Sequence, residues 1–348
     1  MKTSRRTVRL RLTEPLRISR STMAAREAVW LTVEHEGQRG HGEAVTSVYY
    51  GLDADTLVRL MRTESRWLAG FGTPETALEA LRHEGRRDTP PAVTAAVESA
   101  LLDLVGKRAG IPAHRLLGTQ APPRGATART IGITPPGRAE AQAARLVRDG
   151  FTVLKVKAGS PDPSEDIARV RAVRAAAPHT RLLLDPNGAW DKETAEKLLP
   201  LFAGLGVEAV EQPLAPGDPE TLAKLAERSP LPIIADEDAV GHEDARRLAG
   251  RVQGINVKLA KCGGVAAALR IAELIEGTGT ELMLGCLTAS TLGIAPAVHL
   301  ADRARWLDLD GHLLLAHDPW TGIGGTDGTV RTSPNPGLGV RRSEEART

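Results

Sequence analysis

Beyond residue 127 the chain settles into short apolar runs that recur roughly every 25 residues, each followed by a stretch of helical spacing. This repeat limits the available folds more than any other feature. The runs are ARTIGI (128–133), TVLKVK (152–157), RLLLD (181–185), VEAVE (207–211), PIIAD (232–236), GINVK (254–258), ELMLGC (281–286) and RWLDLD (305–310). Apolar strands alternating with helices argue for a parallel sheet covered by helices. An open doubly wound sheet uses similar units, but its dinucleotide-binding form needs an early G-x-G-x-x-G turn, which is missing here. The repeat therefore predicts an α/β fold, a (β/α) barrel of TIM type.

Upstream the texture differs. TVRLRL (7–12) and AVWLTVE (28–34) alternate like strands of a small antiparallel sheet, and GQRGHGEA (37–44) reads as turn residues beside them. From Ala54 to Gly110 the spacing is helical. Its clearest segment, PAVTAAVESALLDLVGKRAG, has Pro at its start, Gly at its end and apolar residues at i, i+3, i+4 and i+7 between them. We expect an N-terminal α+β domain over 1–123, closed by the Pro- and Gly-rich GTQAPPRGATA, and the barrel over 124–310. Residues 311–348 hold no ninth unit and are expected to return to the first domain, with RRSEEART as a solvated, disordered tail.

Charge narrows the partners. The 45 basic and 43 acidic residues leave a formal +2, too little to concentrate nucleic acid or an anionic membrane, so a small-molecule substrate is the expected partner. Cys262 and Cys286 cannot form a disulfide framework or a zinc-spaced set, which fits a reducing compartment, the cytoplasm. Neither a signal-peptide core nor an apolar run of membrane-spanning length is evident. A homo-oligomer is compatible with the sequence.

The strand ends carry the chemistry. Three successive runs close on Asp185, Glu211 and Asp236, in LLLDPN, VEAVEQP and PIIADED. In a parallel barrel these carboxylates converge at the C-terminal rim, where such folds hold their active sites. Three hard oxygen ligands suit Mg²⁺, with Mn²⁺ as a substitute. Lone carboxylates there also serve as helix caps, a reading that three in a row weaken. Lys155 and Lys157 flank the arc on the second strand and Lys258 on the sixth, in a chain whose cations are mostly Arg. An ammonium can lose its proton where a guanidinium effectively cannot, so Lys here suits proton transfer. Lys155 alone reads equally well as an ion-pair partner of a ligand carboxylate. Strands two and six face each other across a barrel, so a bound carbon acid would meet a Lys on each side.

On TVLKVKAG, LLLDPNGAW, VEQPL, IIADED and NVKLAKCGG, the chain from about residue 8 to 340 resembles the enolase superfamily, muconate lactonizing enzyme subgroup. The resemblance implies an enolase-like modified barrel beneath a capping domain, Lys157 and Lys258 as the two acid/base groups, and Lys155 as electrostatic support. It also implies Asp185, Glu211 and Asp236 as metal ligands around an enediolate.

WLDLDGHLLL adds Asp308 and Asp310 on one face of the eighth strand, a pair suited to a cationic substrate group. It resembles the Asp-x-Asp that holds the α-ammonium in dipeptide epimerases of the subgroup. Caps or surface pairing with Arg would explain the two acids more plainly. The resemblance also implies two capping loops over the barrel mouth, near 18–26 and 46–53. From these, Arg20 is the candidate to hold a side-chain carboxylate such as that of Glu, with Arg17 and Arg26 free to face solvent. Tyr50 or Tyr49, and Thr130 on the first barrel strand, are further candidates to contact substrate. Ala289 in GCLTAS stands where many subgroup members carry Glu, which leaves substrate preference open. The expected reaction is Mg²⁺-dependent epimerisation of a dipeptide at its C-terminal α-carbon. The alternatives are an N-acylamino acid (N-succinylamino acid) racemase or cycloisomerase, for which Asp308 and Asp310 have no cation to bind, and a non-catalytic metal-binding barrel.

Overall fold

The computed structural model describes residues 1–84 and 88–343. It opens with a three-stranded antiparallel sheet of β1 (Lys2–Ile18), β2 (Ser21–His35) and β3 (Gln38–Val45). The first two strands run far beyond the alternating segments. They continue past a register shift between Arg11 and Leu16 to a turn at Ser19–Arg20, so the stretch 18–26 expected as a loop is the tip of a long hairpin. Alternation could not reveal this: only Leu10 and Leu12 of β1 are buried, and cross-strand pairing rather than a buried face carries the outer half.

The turn expected at GQRGHGEA is strand β3 instead. Its glycines serve close approach. A Cβ on Gly40 would meet Ala100 O at 2.1 Å, and one on Gly42 would meet Ala96 O at 2.0 Å, so the bare face of the strand lies directly on a helix. That helix is α3 (Pro91–Ala109), which follows α1 (Ala54–Ala69) and α2 (Pro74–Glu84). It starts on Pro91 and ends at Gly110, whose φ of 68° lets its N–H reach back to Gly106 and Lys107 carbonyls. Everything from Ala92 to Gly106 is buried, because the sheet covers one side and the barrel the other.

After the short strand β4 (Arg124–Ala126) comes the barrel. Its strands are β5 (Arg129–Ile131), β6 (Val153–Lys157), β7 (Arg181–Asp185), β8 (Val207–Glu211), β9 (Ile233–Ala235), β10 (Gly254–Lys258), β11 (Glu281–Gly285) and β12 (Trp306–Asp308), parallel and in chain order. Ala128 N–H donates to Leu307 O at 2.7 Å and joins the two edges. The observed strands sit within the expected runs, trimmed at their ends. Ala128, Val153, Leu183, Ala209, Ile234, Met283 and Trp306 fill a lower layer of the interior.

The chain then crosses back. Strand β13 (Trp320–Thr321) pairs with β15 (Arg341–Arg342), and β14 (Thr329–Arg331) pairs with β4. Trp320 stands edge-on to Trp30 of β2 at 5.7 Å, and the Arg342 guanidinium lies 4.3 Å above the Trp30 ring. Part of the expected solvated tail is therefore a strand, held because a guanidinium stacks well on indole. Residues 344–348 of that tail lie outside the described residues. Among the described residues no helix is long and apolar enough to cross a membrane.

One buried pair links this return to pH. His299 Nδ1 accepts from the His114 N–H at 3.0 Å, and its Nε2 lies 3.3 Å from Leu338 O, so the neutral Nε2–H tautomer satisfies both. Burial lowers its pKa from 6.5 to about 4. Between those values the unfolded chain binds the extra proton, so stability is full above pH 6.5 and falls as pH drops toward 4. The loss from this site amounts to about 2 kcal/mol at pH 5. Urea unfolding of the wild type and His299→Asn at pH 7 and pH 5 should show the variant's deficit shrinking at the lower pH; an unchanged deficit would remove His299 from the acid response.

Candidate active site

The pleat assembles the site. Residues two positions beyond the lower interior layer point to the same face, so Val153 is followed by Lys155 and then Lys157, Leu183 by Asp185, Ala209 by Glu211, Ile234 by Asp236 and Trp306 by Asp308. The result is a ring of charge above an apolar floor. Asp185, Glu211, Asp236 and Lys155 are all nearly inaccessible, and Lys157 is 9% exposed.

Each of two carboxylates holds two lysines. Asp185 Oδ2 takes Lys155 at 3.0 Å and Lys157 in a shorter contact, while Asp236 takes Lys258 at 2.6 Å and Lys261 at 2.5 Å. Of each pair, one lysine is almost inaccessible (Lys155, Lys261) and the other more open (Lys157, Lys258); Lys155, Lys157 and Lys258 all border the cavity above. Lys155 also reaches Asp308 Oδ2 at 2.7 Å and lies 2.5 Å from Glu211 Oε2, without the alignment of a hydrogen bond. Burial pushes Lys258 and Lys155 toward the neutral form, but the facing carboxylates outweigh it and raise both, Asp236 first for Lys258 and Asp185 first for Lys155. Burial would raise Asp185, yet Lys155 and Lys157 hold it below the usual carboxylate range.

Glu211 differs. Burial and the Asp185 charge push its carboxyl up to about 7 against the pull of Lys155. Asn187 Oδ1, beside Asp185, is buried with no donor among the described residues. Among the described residues no three His, Cys, Asp or Glu side chains close on a common point, because each carboxylate turns toward a lysine. The donor set still fits a hard divalent cation: three acidic side chains on adjacent strands, one raised to about 7 by burial and its neighbours' charge, and a spare amide oxygen. Asp185, Glu211 and Asp236 would hold such an ion.

A cavity of about 510 Å³ opens over the ring, lined among others by Arg26, Tyr50, Lys157, Lys258, Asp308 and Asp310. A second cavity of equal volume lies outside, along the hairpin and Arg138, and contains none of the lysine–carboxylate ring. Asp308 Oδ1 is buried and unpaired among the described residues, an acceptor facing no donor. Asp310 Oδ2 accepts from Thr130 N–H at 2.7 Å and from Arg129 Nη1 at 3.2 Å. Thr130 thus lines the cavity and also positions Asp310 through its backbone. Tyr50 is half-buried at the wall, its hydroxyl held protonated by burial and the Asp236 charge.

Arg20 also reaches the cavity, but its guanidinium is already engaged. It pairs with Glu237 at 2.7 Å, donates to Asn187 O at 3.1 Å and lies 4.8 Å above the Tyr49 ring. Arg26, read from sequence as free to face solvent, lines the cavity instead. Sequence reasoning missed several supporting groups. Asn256 of β10 donates to Glu211 Oε1 at 2.8 Å; Gln212 accepts from Asp236 N–H at 3.0 Å. Asn187 and Gln212, each just past a ring carboxylate, have φ of 50° and 36°. The Pro residues in DPN and EQP marked irregular backbone there, but nothing in the pattern announced Lys261 or Asn256.

Similarity to known proteins extends over nearly the whole chain. Residues 1–118 match the family model described as mandelate racemase / muconate lactonizing enzyme, N-terminal domain, and residues 138–346 match the enolase C-terminal domain-like model. A hydrophobic dipeptide epimerase of Roseobacter litoralis is 32% identical over 342 residues, covering 97% of this chain and 98% of that protein. An L-Lys-D/L-Arg epimerase of Methylococcus capsulatus is 37% identical over 309 residues, covering 86% and 83%. The dipeptide epimerase of Enterococcus faecalis, solved with Mg and the dipeptide L-Leu-L-Tyr, superposes with a TM-score of 0.91 at 30% identity, covering 98% of this chain and 99% of that one.

Proposed function

Because the chain belongs to the mandelate racemase/muconate lactonizing enzyme family of the enolase superfamily, we propose that it epimerises dipeptides at the C-terminal α-carbon by proton transfer between two lysines. The observation that carries this reading is the division of labour within the ring. Lys157 and Lys258, on β6 and β10 across the barrel, each share a carboxylate with a deeper lysine and themselves border the cavity. A substrate between them presents one face of its α-carbon to each. One lysine takes the proton from its side while the other, protonated, returns one from the opposite side, which inverts the centre.

Bound at Asp185, Glu211 and Asp236, Mg²⁺ or Mn²⁺ would supply positive charge to offset the charge that builds on the substrate carboxylate. Lys155 stays buried and protonated, adding a fixed positive charge beneath that carboxylate. Asp308 Oδ1 and Asp310 supply acceptors for the free α-ammonium, and this favours a dipeptide over an N-acylamino acid. The long hairpin and residues 46–50 form part of the cavity wall.

Proton NMR of the enzyme in D₂O with Mg²⁺ tests the reading, with L,L-dipeptides in one pool and N-succinylamino acids in another. We expect the C-terminal α-proton of free-amine dipeptides to wash out, and EDTA to stop the loss by at least about a hundredfold. Wash-out confined to the acylated pool would make the chain a racemase of N-acylamino acids. EDTA-insensitive exchange would remove the metal from the reaction.

A further inference from the structure

Of the two arginines on the cavity wall, one is unaccounted for. Arg20 has Glu237. Arg26 sits on β2 opposite Leu10, and among the described residues its one polar contact is Nε–H to Met23 Sδ at 3.3 Å. Its Nη1 is sealed from solvent without an acceptor, and no ion pair falls on the guanidinium among the described residues. Burial lowers its pKa, as it must for a cation with no partner. A desolvated guanidinium with an open hydrogen-bond shell is costly to keep unless something occupies it in the working state.

Its neighbours say where along the substrate it acts. Arg20 and Tyr50 lie within reach of the Asp236 charge, at the metal end of the cavity. Arg26 instead has Cys286 as its electrostatic neighbour, and Cys286, just past β11, is itself flanked by Asp308 and Asp310 and lies within reach of Lys258. Arg26 therefore borders the part of the cavity where those two acids would hold the α-ammonium.

Resting on the dipeptide reading above, we propose that Arg26 binds the side-chain carboxylate of the substrate's N-terminal residue, so that the preferred substrates are dipeptides beginning with Glu or Asp. The ammonium then meets Asp308 and Asp310 while the side-chain carboxylate meets Arg26, a pattern that matches both charges of such a residue. A Lys or Arg at the same position would set a second cation against the unpaired guanidinium.

The test is kcat/KM of the Mg²⁺-loaded enzyme for L-Glu-L-Leu, L-Gln-L-Leu, L-Leu-L-Leu and L-Lys-L-Leu, followed by α-proton exchange at the C-terminal leucine. We expect Glu to exceed Gln and Leu by about tenfold to a hundredfold, mainly through KM, and Lys to be poorest. In Arg26→Gln the ratio of Glu to Leu should collapse to about one, whereas Arg26→Lys should keep part of it. The ratio within each protein is the readout, so a general loss of activity does not disguise the result. Should both variants fail to fold, the wild-type ranking alone decides. Exchange of all four dipeptides without an acidic preference overturns the assignment of Arg26 and leaves the epimerase reading intact. Exchange of none of them overturns both.

Discussion

Lys157→Ala and Lys258→Ala are each expected to lower epimerisation by about a thousandfold or more, in line with the loss of a positioned acid/base group. The two variants should fail in complementary ways. With one lysine gone, a substrate whose α-proton points at the survivor still exchanges with D₂O, but its configuration is kept. Lys157→Ala should therefore exchange one C-terminal configuration, and Lys258→Ala the other. Folding should survive both changes. Removing Lys157 leaves Asp185 paired with Lys155, and removing Lys258 leaves Asp236 paired with Lys261, so neither strips a buried carboxylate of its counter-charge. Circular dichroism and thermal unfolding close to wild type would separate lost chemistry from lost structure. Interconversion at an undiminished rate in either variant would falsify the two-base mechanism.

That redundancy also explains what the sequence could and could not reveal. The ring was legible because a carboxylate at the end of an apolar strand is a local anomaly, visible in LLLD, VEAVE and IIAD without any knowledge of contacts. Lys155 and Lys157 were legible by parity, since two residues along a strand return to the same face. Lys261 was not, because it follows β10 on a short turn of helix, where spacing gives no direction, and only the fold brings it to Asp236. Asn256 was hidden by its position inside a run that reads as ordinary strand.

The capping region was harder to read for a related reason. Its glycines read in sequence as turn formers, whereas Gly40 and Gly42 let β3 lie on α3. The same strand carries Glu43, buried, which accepts from Ser290 N–H at 2.8 Å and Trp30 Nε1–H at 2.6 Å. Glu43 thus brings a buried acid to Ser290, the residue after Ala289. Which arginine borders the cavity depended on the hairpin's register, which no alternation in residues 21–26 fixes.

Asp310→Asn is expected to lower kcat/KM for free-amine dipeptides by about tenfold to a hundredfold while leaving N-succinylamino acids no worse, the size of one charge-assisted hydrogen bond. The geometry makes the change more than a loss of charge. Asp310 Oδ2 accepts from Thr130 N–H and Arg129, both of them donors, so an Asn must keep its oxygen there. Its amide NH₂ then takes the other position, toward the cavity, and sets a donor against the substrate ammonium. Asp308→Asn should act in the same direction, but with a larger fall in kcat, because Asp308 also pairs with Lys155 beneath the reacting carboxylate. Steady-state kinetics of both variants on both substrate classes make the comparison. If dipeptides and acylated amino acids decline together in Asp310→Asn, the acid is structural, a support for Thr130 and Arg129, and the preference for a free ammonium must come from elsewhere in the cavity.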